Sequence, residues 1–170
     1  MERNEFHTVR GYQLLNQGGR LLTASMEDYL EMIYRNIQEE GYMRMNTLSE
    51  LLNVKPSSAT KMVQKLTEQG LVAYKKYGII FLTDSGKKIG EFLLRRHNIL
   101  EKFLRVVGIK ENLLKETELI EHNISVHTLR NIERFIRFVE KHPEVLSLYE
   151  TFRLSDDPGD SGLASDWYQG

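Results

Sequence analysis

No cysteine occurs anywhere in the 170 residues. Disulfides, thiolate zinc sites and cysteine nucleophiles are therefore excluded, and any bound metal must be held by oxygen and imidazole nitrogen. Long hydrophobic runs are missing as well. None approaches the roughly 20 residues that span a bilayer, and the polar start from Met1 to Gln17 lacks a signal-peptide core. The expectation is a cytoplasmic protein with no membrane partner. A large charge imbalance is also absent, since the formal net charge is −1. What is present is a globular mixture, 41% apolar and 28% charged, in a chain long enough for one full core or two small ones.

Charge is unevenly distributed, and that matters more for a nucleic-acid footprint than the total. Between Asn53 and Gly90, Lys55, Lys61, Lys65, Lys75, Lys76, Lys87 and Lys88 face only Glu68 and Asp84. From Ser155 to Gly170 there are aspartates (156, 157, 160 and 166) and no basic residue. A basic middle therefore sits between more acidic flanks.

Residues 1–24 show no sustained periodicity and read as a flexible N-terminal extension. Ser25 then suits the N-cap of a helix to about Glu39, with Met26, Leu30, Ile33 and Ile37 as its buried stripe. Asn46 suits the cap of a second helix carrying Leu48, Leu51 and Leu52. Pro56 fits the first position of a third helix to about Gln69, which buries Ala59, Met62, Val63 and Leu66. Leu71–Lys75 and Ile79–Thr83 are β-rich runs around Lys76, Tyr77 and Gly78, a hairpin pattern. Three helices and a hairpin make a winged helix-turn-helix over 25–83.

A long helix follows from Thr83 or Asp84 to about Val107, apolar at Ile89, Phe92, Leu93, Leu100, Phe103, Leu104 and Val107. Two more are expected, at about Glu111–Asn123 and, capped by Ser125, at Val126–Glu140, with Pro143 starting a last short one. The fold class is thus mainly α: an N-terminal winged helix-turn-helix, then an all-helical metal-binding and dimerisation domain over 84–152. An acidic disordered tail is expected over 153–170. The stripe Leu129, Ile132, Phe135, Ile136 and Val139 exceeds what so small a domain can cover, so a homodimer is expected.

Two sets of residues carry chemistry. On the third helix, Ser57, Ser58 and Thr60 can donate to phosphates or base edges, Gln64 can pair with adenine, and Lys61 and Lys65 can meet phosphate or guanine. Lys75 and Lys76 at the hairpin tip would contact the DNA backbone. An ordinary solvated helix face explains the third helix alone equally well; the hairpin and the local lysine excess favour double-stranded DNA.

The second set is spread over three helices. Asp28 and Glu31 are i and i+3, Glu118, Glu121 and His122 are i, i+3 and i+4, and His97 lies among the apolar positions of the long helix. Convergence of these faces would make an oxygen-rich cage with two imidazoles. Each group singly has a plainer explanation, as helix-dipole acids, solvated glutamates or a satisfied core histidine.

The blocks SMEDYLE (25–31), KPSSATKMVQKL (55–66), LTDSGKKIG (82–90), RRHNILEKFLRVVG (95–108) and IEHNIS (120–125) together resemble the DtxR/MntR family of metal-dependent repressors, in its manganese-responsive branch. The resemblance runs from about Ser25 to Glu140. It implies a homodimer that binds operator DNA when metal is present and represses manganese uptake genes. It also implies that Asp28, Glu31, His97, Glu118, Glu121 and His122 hold a pair of Mn2+ ions. Iron-responsive relatives carry methionine where Asp28 stands and cysteine where Glu118 stands, and usually an added SH3-like domain. The 24-residue leader, the acidic tail and Asn123 in place of a second histidine depart from the branch's pattern.

Alternatives remain: a regulator of the same family answering iron, zinc or cobalt, or a di-metal carboxylate enzyme. The enzyme fits poorly, because ferritin-like sites use a Glu-x-x-His pair on each of two helices, whereas Glu118 and His122 are i and i+4 and have no second copy. No catalytic residue and no small-molecule substrate is expected.

Overall fold

The computed structural model describes residues 22–38 and 40–156. The extension expected over 1–24 therefore lies outside the described residues up to 21, and so does the tail from 157 to 170. The chain divides into two compact units, the first ending at Asn98 and the second beginning at Ile99.

The first unit opens with α1 (Ala24–Asn36), capped by Thr23 rather than Ser25. The Thr23 hydroxyl accepts from the Met26 amide at 3.3 Å, while the Thr23 carbonyl accepts from Met26 and Glu27, so the cap sits two residues earlier than expected. The stripe holds: Met26, Leu30, Ile33 and Ile37 are all buried. β1 (Met43–Arg44) leads directly into α2 (Met45–Leu51), whose N-cap is Arg44 and not Asn46, with no side-chain cap. Leu48 is buried, but Leu51 is 47% exposed and not part of the core.

Pro56 is the first residue of α3 (Pro56–Glu68), where its missing N–H costs nothing. Ala59, Val63 and Leu66 are fully buried, and α3 packs on α1 and α2. The hairpin is β2 (Val72–Lys75) and β3 (Ile79–Leu82), antiparallel, with Val72 opposite Leu82 and Lys75 opposite Ile79. β1 pairs with the other edge of β3, giving the order β1-β3-β2. Two residues are too few to show a period, so this third strand was not expected.

α4 (Asp84–Val106) is capped by Thr83, whose hydroxyl accepts from the Gly86 amide at 3.0 Å. Its Ile89, Phe92 and Leu93 join the first unit's core. Gly90 lies so close to α1 that an added Cβ would stand 2.5 Å from the Tyr34 Cβ.

In the second unit, α4 continues through buried Leu100 and Leu104. α5 (Leu113–Glu121) starts two residues later than expected, after Asn112 in the left-handed conformation. α6 (Val126–Lys141) is capped by Ser125 as expected, the hydroxyl accepting from the Thr128 amide at 3.1 Å. It buries Leu129, Ile136 and Val139. Pro143 starts α7 (Pro143–Asp156), 14 residues long rather than short, so the tail expected from residue 153 overlaps its last turn. The Tyr149 hydroxyl donates to the Val107 carbonyl at 3.1 Å, tying α7 to the end of α4.

Candidate metal centre and DNA-binding surface

In the first unit, the apolar stripe of α1 fixes that helix's rotation and so directs the carboxylates beside it. Glu31 is 8% exposed and His97 5%, whereas Asp28, three residues before Glu31, is exposed. His97 Nδ1 stands 3.9 Å from Glu31 Oε1. Donors about 2.0–2.2 Å from one ion stand roughly 3–4 Å apart, so this spacing suits two ligands of a common metal. The Arg35 guanidinium donates to Glu31 Oε1 at 2.5 Å and balances its charge. Beside them Arg96 Nη2 donates to Glu27 Oε2 at 2.8 Å, both side chains buried. Burial pushes the Tyr29 hydroxyl above its ordinary pKa.

In the second unit, α5 carries Glu118, which is exposed, and Glu121, which is 3% exposed. His122, half-buried, is the residue that ends the helix. Its Nε2 is 3.7 Å from Glu121 Oε1. The structure therefore brings together Glu31 with His97, and Glu121 with His122, leaving Asp28 and Glu118 exposed on the same two helices. Burying a carboxylate is costly unless a cation or hydrogen bonds compensate it. Donor sets of carboxylate and imidazole, with no sulfur, fit a hard or borderline divalent ion.

The other surface is on α3 and the hairpin. Ser57, Ser58, Lys61, Gln64 and Lys65 are exposed. Thr60 is half-buried and spends its hydroxyl on the Pro56 carbonyl, 2.9 Å away, which leaves it less free than its neighbours to donate elsewhere. Lys75 is exposed, its ammonium 4.8 Å from the centre of the Phe81 ring. Lys76 opens the turn, and its side chain lies outside the described part of the structure. Lys61, Gln64 and Lys65 fall opposite the Ala59, Val63 and Leu66 stripe, as a helix that reads a groove must arrange them.

Residues 21–80 match the family described as iron dependent repressor, N-terminal DNA binding domain. Residues 83–147 match its metal binding and dimerisation domain. The chain belongs to the DtxR/MntR family. It is 45% identical over 125 residues to the HTH-type transcriptional regulator MntR of Bacillus pumilus, covering 73% of this chain and 87% of that one. It is 40% identical over 139 residues to the MntR of Geobacillus thermodenitrificans, covering 81% and 99%. Among solved structures, a manganese-dependent transcriptional repressor in complex with manganese superposes with a TM-score of 0.61 at 32% identity, over 66% of this chain and 53% of that one. Membership makes this chain a metal-dependent transcriptional repressor, not an enzyme, with a DNA-binding domain followed by a metal-binding and dimerisation domain. Among the described residues no helix is long and apolar enough to cross a membrane.

Sequence reasoning about this DtxR/MntR chain missed the buried charges that flank the candidate ligands. Glu27 and Arg96 are 69 positions apart, and no local spacing links them. A weak signal existed: Arg96 interrupts the apolar positions of α4, where a charge demands a partner. Arg35 was visible as the i+4 neighbour of Glu31.

Proposed function

We propose that this repressor answers manganese. Asp28, Glu31, His97, Glu118, Glu121 and His122 would hold two Mn2+ ions per subunit, and the metal-loaded homodimer would bind operator DNA and repress manganese uptake genes, in the cytoplasm. The observation that carries this reading is the buried pair of Glu31 and His97, an oxygen and a nitrogen donor 3.9 Å apart in a chain without cysteine. The similar solved structures of a manganese-dependent transcriptional repressor and of a manganese regulator support it. The domain division at 83/84 belongs to the same reading.

When bound, the metal supplies the positive charge that offsets carboxylates held out of water. The rest falls to the chain. Glu31 and Glu121 must release any protons and their present ion-pair partners, and His97 and His122 must present a neutral ring nitrogen, so proton competition opposes loading. If the ligand set is complete only in the DNA-competent arrangement, loading selects that arrangement, and by linkage operator DNA tightens metal binding by the same factor. Selection for manganese cannot rest on intrinsic affinity, because zinc and copper stand above it in the Irving–Williams order. Geometry and the number of hard oxygen donors must supply it, which makes Asp28 and Glu118 the discriminating positions.

The test is operator affinity against free Mn2+, Fe2+, Co2+ and Zn2+ at constant salt, for the wild type and Asp28→Met. Manganese should activate the wild type, and Asp28→Met should lose manganese response more than response to softer ions. Failure of Mn2+ to activate the wild type, or an unchanged ranking of metals in the variant, would overturn the manganese assignment while leaving the repressor fold intact.

A further inference from the structure

The residue at the tip of the hairpin has no role in anything described above. Tyr77 is 92% exposed. Its backbone has φ 67° and ψ 22°, left-handed values that a bulky L-residue adopts only against steric resistance. Gly78 follows at φ 73°, so the turn uses two consecutive left-handed residues. Asn, Asp and Gly are the usual occupants of such positions, because their side chains tolerate or stabilise them. The chain instead places an aromatic ring there, and that ring buries almost nothing. Neither turn geometry nor core packing accounts for the choice. Strained backbone and exposed aromatics persist where a partner uses them.

The surroundings indicate which partner. Tyr77 is two residues from exposed Lys75, on a hairpin whose β2 strand packs against α3. That helix exposes Ser57, Ser58, Lys61, Gln64 and Lys65, and all of these lie in the segment matching the DNA-binding domain. We infer that Tyr77 is a DNA-contact residue, its ring packed on the deoxyribose wall of the groove that flanks the α3 site. The sugar's carbon face is apolar and the same at every base pair. Such a contact adds affinity without reading sequence and, having no charge, without releasing counterions. Lysines beside the ring would anchor to phosphate while the ring sets the depth of the hairpin against the backbone. The inference rests on DNA binding by this domain, and on no assumption about which metal activates it.

The experiment uses the full-length chain loaded with whichever of Mn2+, Fe2+, Co2+ and Zn2+ gives the wild type its tightest DNA binding, and two duplexes, one selected by the wild type from a random pool and one of mixed sequence, with affinity measured across a salt series. Tyr77→Asn replaces the ring with a residue suited to the left-handed turn, so thermal stability should stay level or rise by a few degrees. Its affinity should fall at least fivefold on both duplexes, with the salt slope of the wild type. Tyr77→Phe should stay within twofold of the wild type. Lys75→Ala, the charge control, should make the slope shallower by about one counterion.

Affinity of Tyr77→Asn within twofold of the wild type would overturn the inference and leave Tyr77 as a turn residue. A shallower salt slope in Tyr77→Asn would overturn it too, because the loss would then come from displacing the lysines. So would a loss in Tyr77→Phe as large as in Tyr77→Asn, which would assign the contact to the hydroxyl and not the ring. No binding by the wild type to either duplex would instead sink the DNA-binding reading, and this inference with it.

Discussion

The two units handle apolar side chains in opposite ways. Among the described residues, eighteen of the buried hydrophobic side chains belong to the first unit and six to the second, while ten of the large exposed ones belong to the second and three to the first. The first unit therefore satisfies its own core. The second carries Leu114, Leu119, Phe135, Phe138, Leu148 and Phe152 on its outside, more than a chain remaining alone would leave in water. A DNA-binding module must hold one shape to present a helix to a groove, whereas a dimerisation module is complete only when a second copy covers it.

The largest effect expected from this contrast lies in the first unit. Replacing Arg96 with methionine breaks the buried Glu27–Arg96 ion pair from one side, which costs about 3–5 kcal/mol. Urea unfolding should show the midpoint collapsing at every protein concentration, and a loss below about 1 kcal/mol would mean the pair is not a structural strut. Next comes a matched pair of substitutions. Leu66→Ala, at a fully buried position, should cost about 2–5 kcal/mol, and Leu148→Ala, at 72% exposure, under about 0.5 kcal/mol when both are measured on dilute protein. Comparable losses at the two sites would erase the contrast. The smallest effect on folding, though not on assembly, belongs to Phe138→Asp. With 48% of Phe138 exposed, the substitution should hardly change the fold of one subunit, yet it should raise the dimer dissociation constant about tenfold or more by placing a charge in an apolar contact. Sedimentation velocity over a dilution series measures this, and an unshifted dimer would place the interface elsewhere.

Periodicity made most of this legible before any coordinates. The α1 stripe, the Pro56 start of α3, the hairpin around Lys76, Tyr77 and Gly78 and the Ser125 cap of α6 all follow from local residues, and the structure has them there. What failed was local choice between equivalents and everything non-local. Thr23 and Ser25 are both good caps, and only the backbone path decides between them. Leu51 continues an apolar pattern but faces outward, because α2 is too short for its stripe to be well defined. The two-residue β1 exists through its pairing with β3, some 35 positions later in the chain. Candidate ligands on α1 and α5 were readable from i, i+3 and i+4 spacing, and His97 of α4 from its place among apolar positions, whereas the Arg96 partner of Glu27 was not, since a buried charge announces a need without naming what meets it.

The missing side chain of Gly90 has a consequence for how finely the proposed site can sort its ions. Where α1 and α4 meet at Tyr34 there is no room even for a methyl group, so the gap between the helices is set by backbone against ring stem. No adjustable layer of side chains lies at that point to stretch or relax. Glu31 and His97 project from those same two helices, and ligand distances run from about 2.0–2.2 Å for zinc to about 2.3–2.6 Å for calcium. In the proposed site, a gap with so little slack would act as a calliper, adding a preference by ionic radius to the one set by the oxygen donors of Asp28 and Glu118.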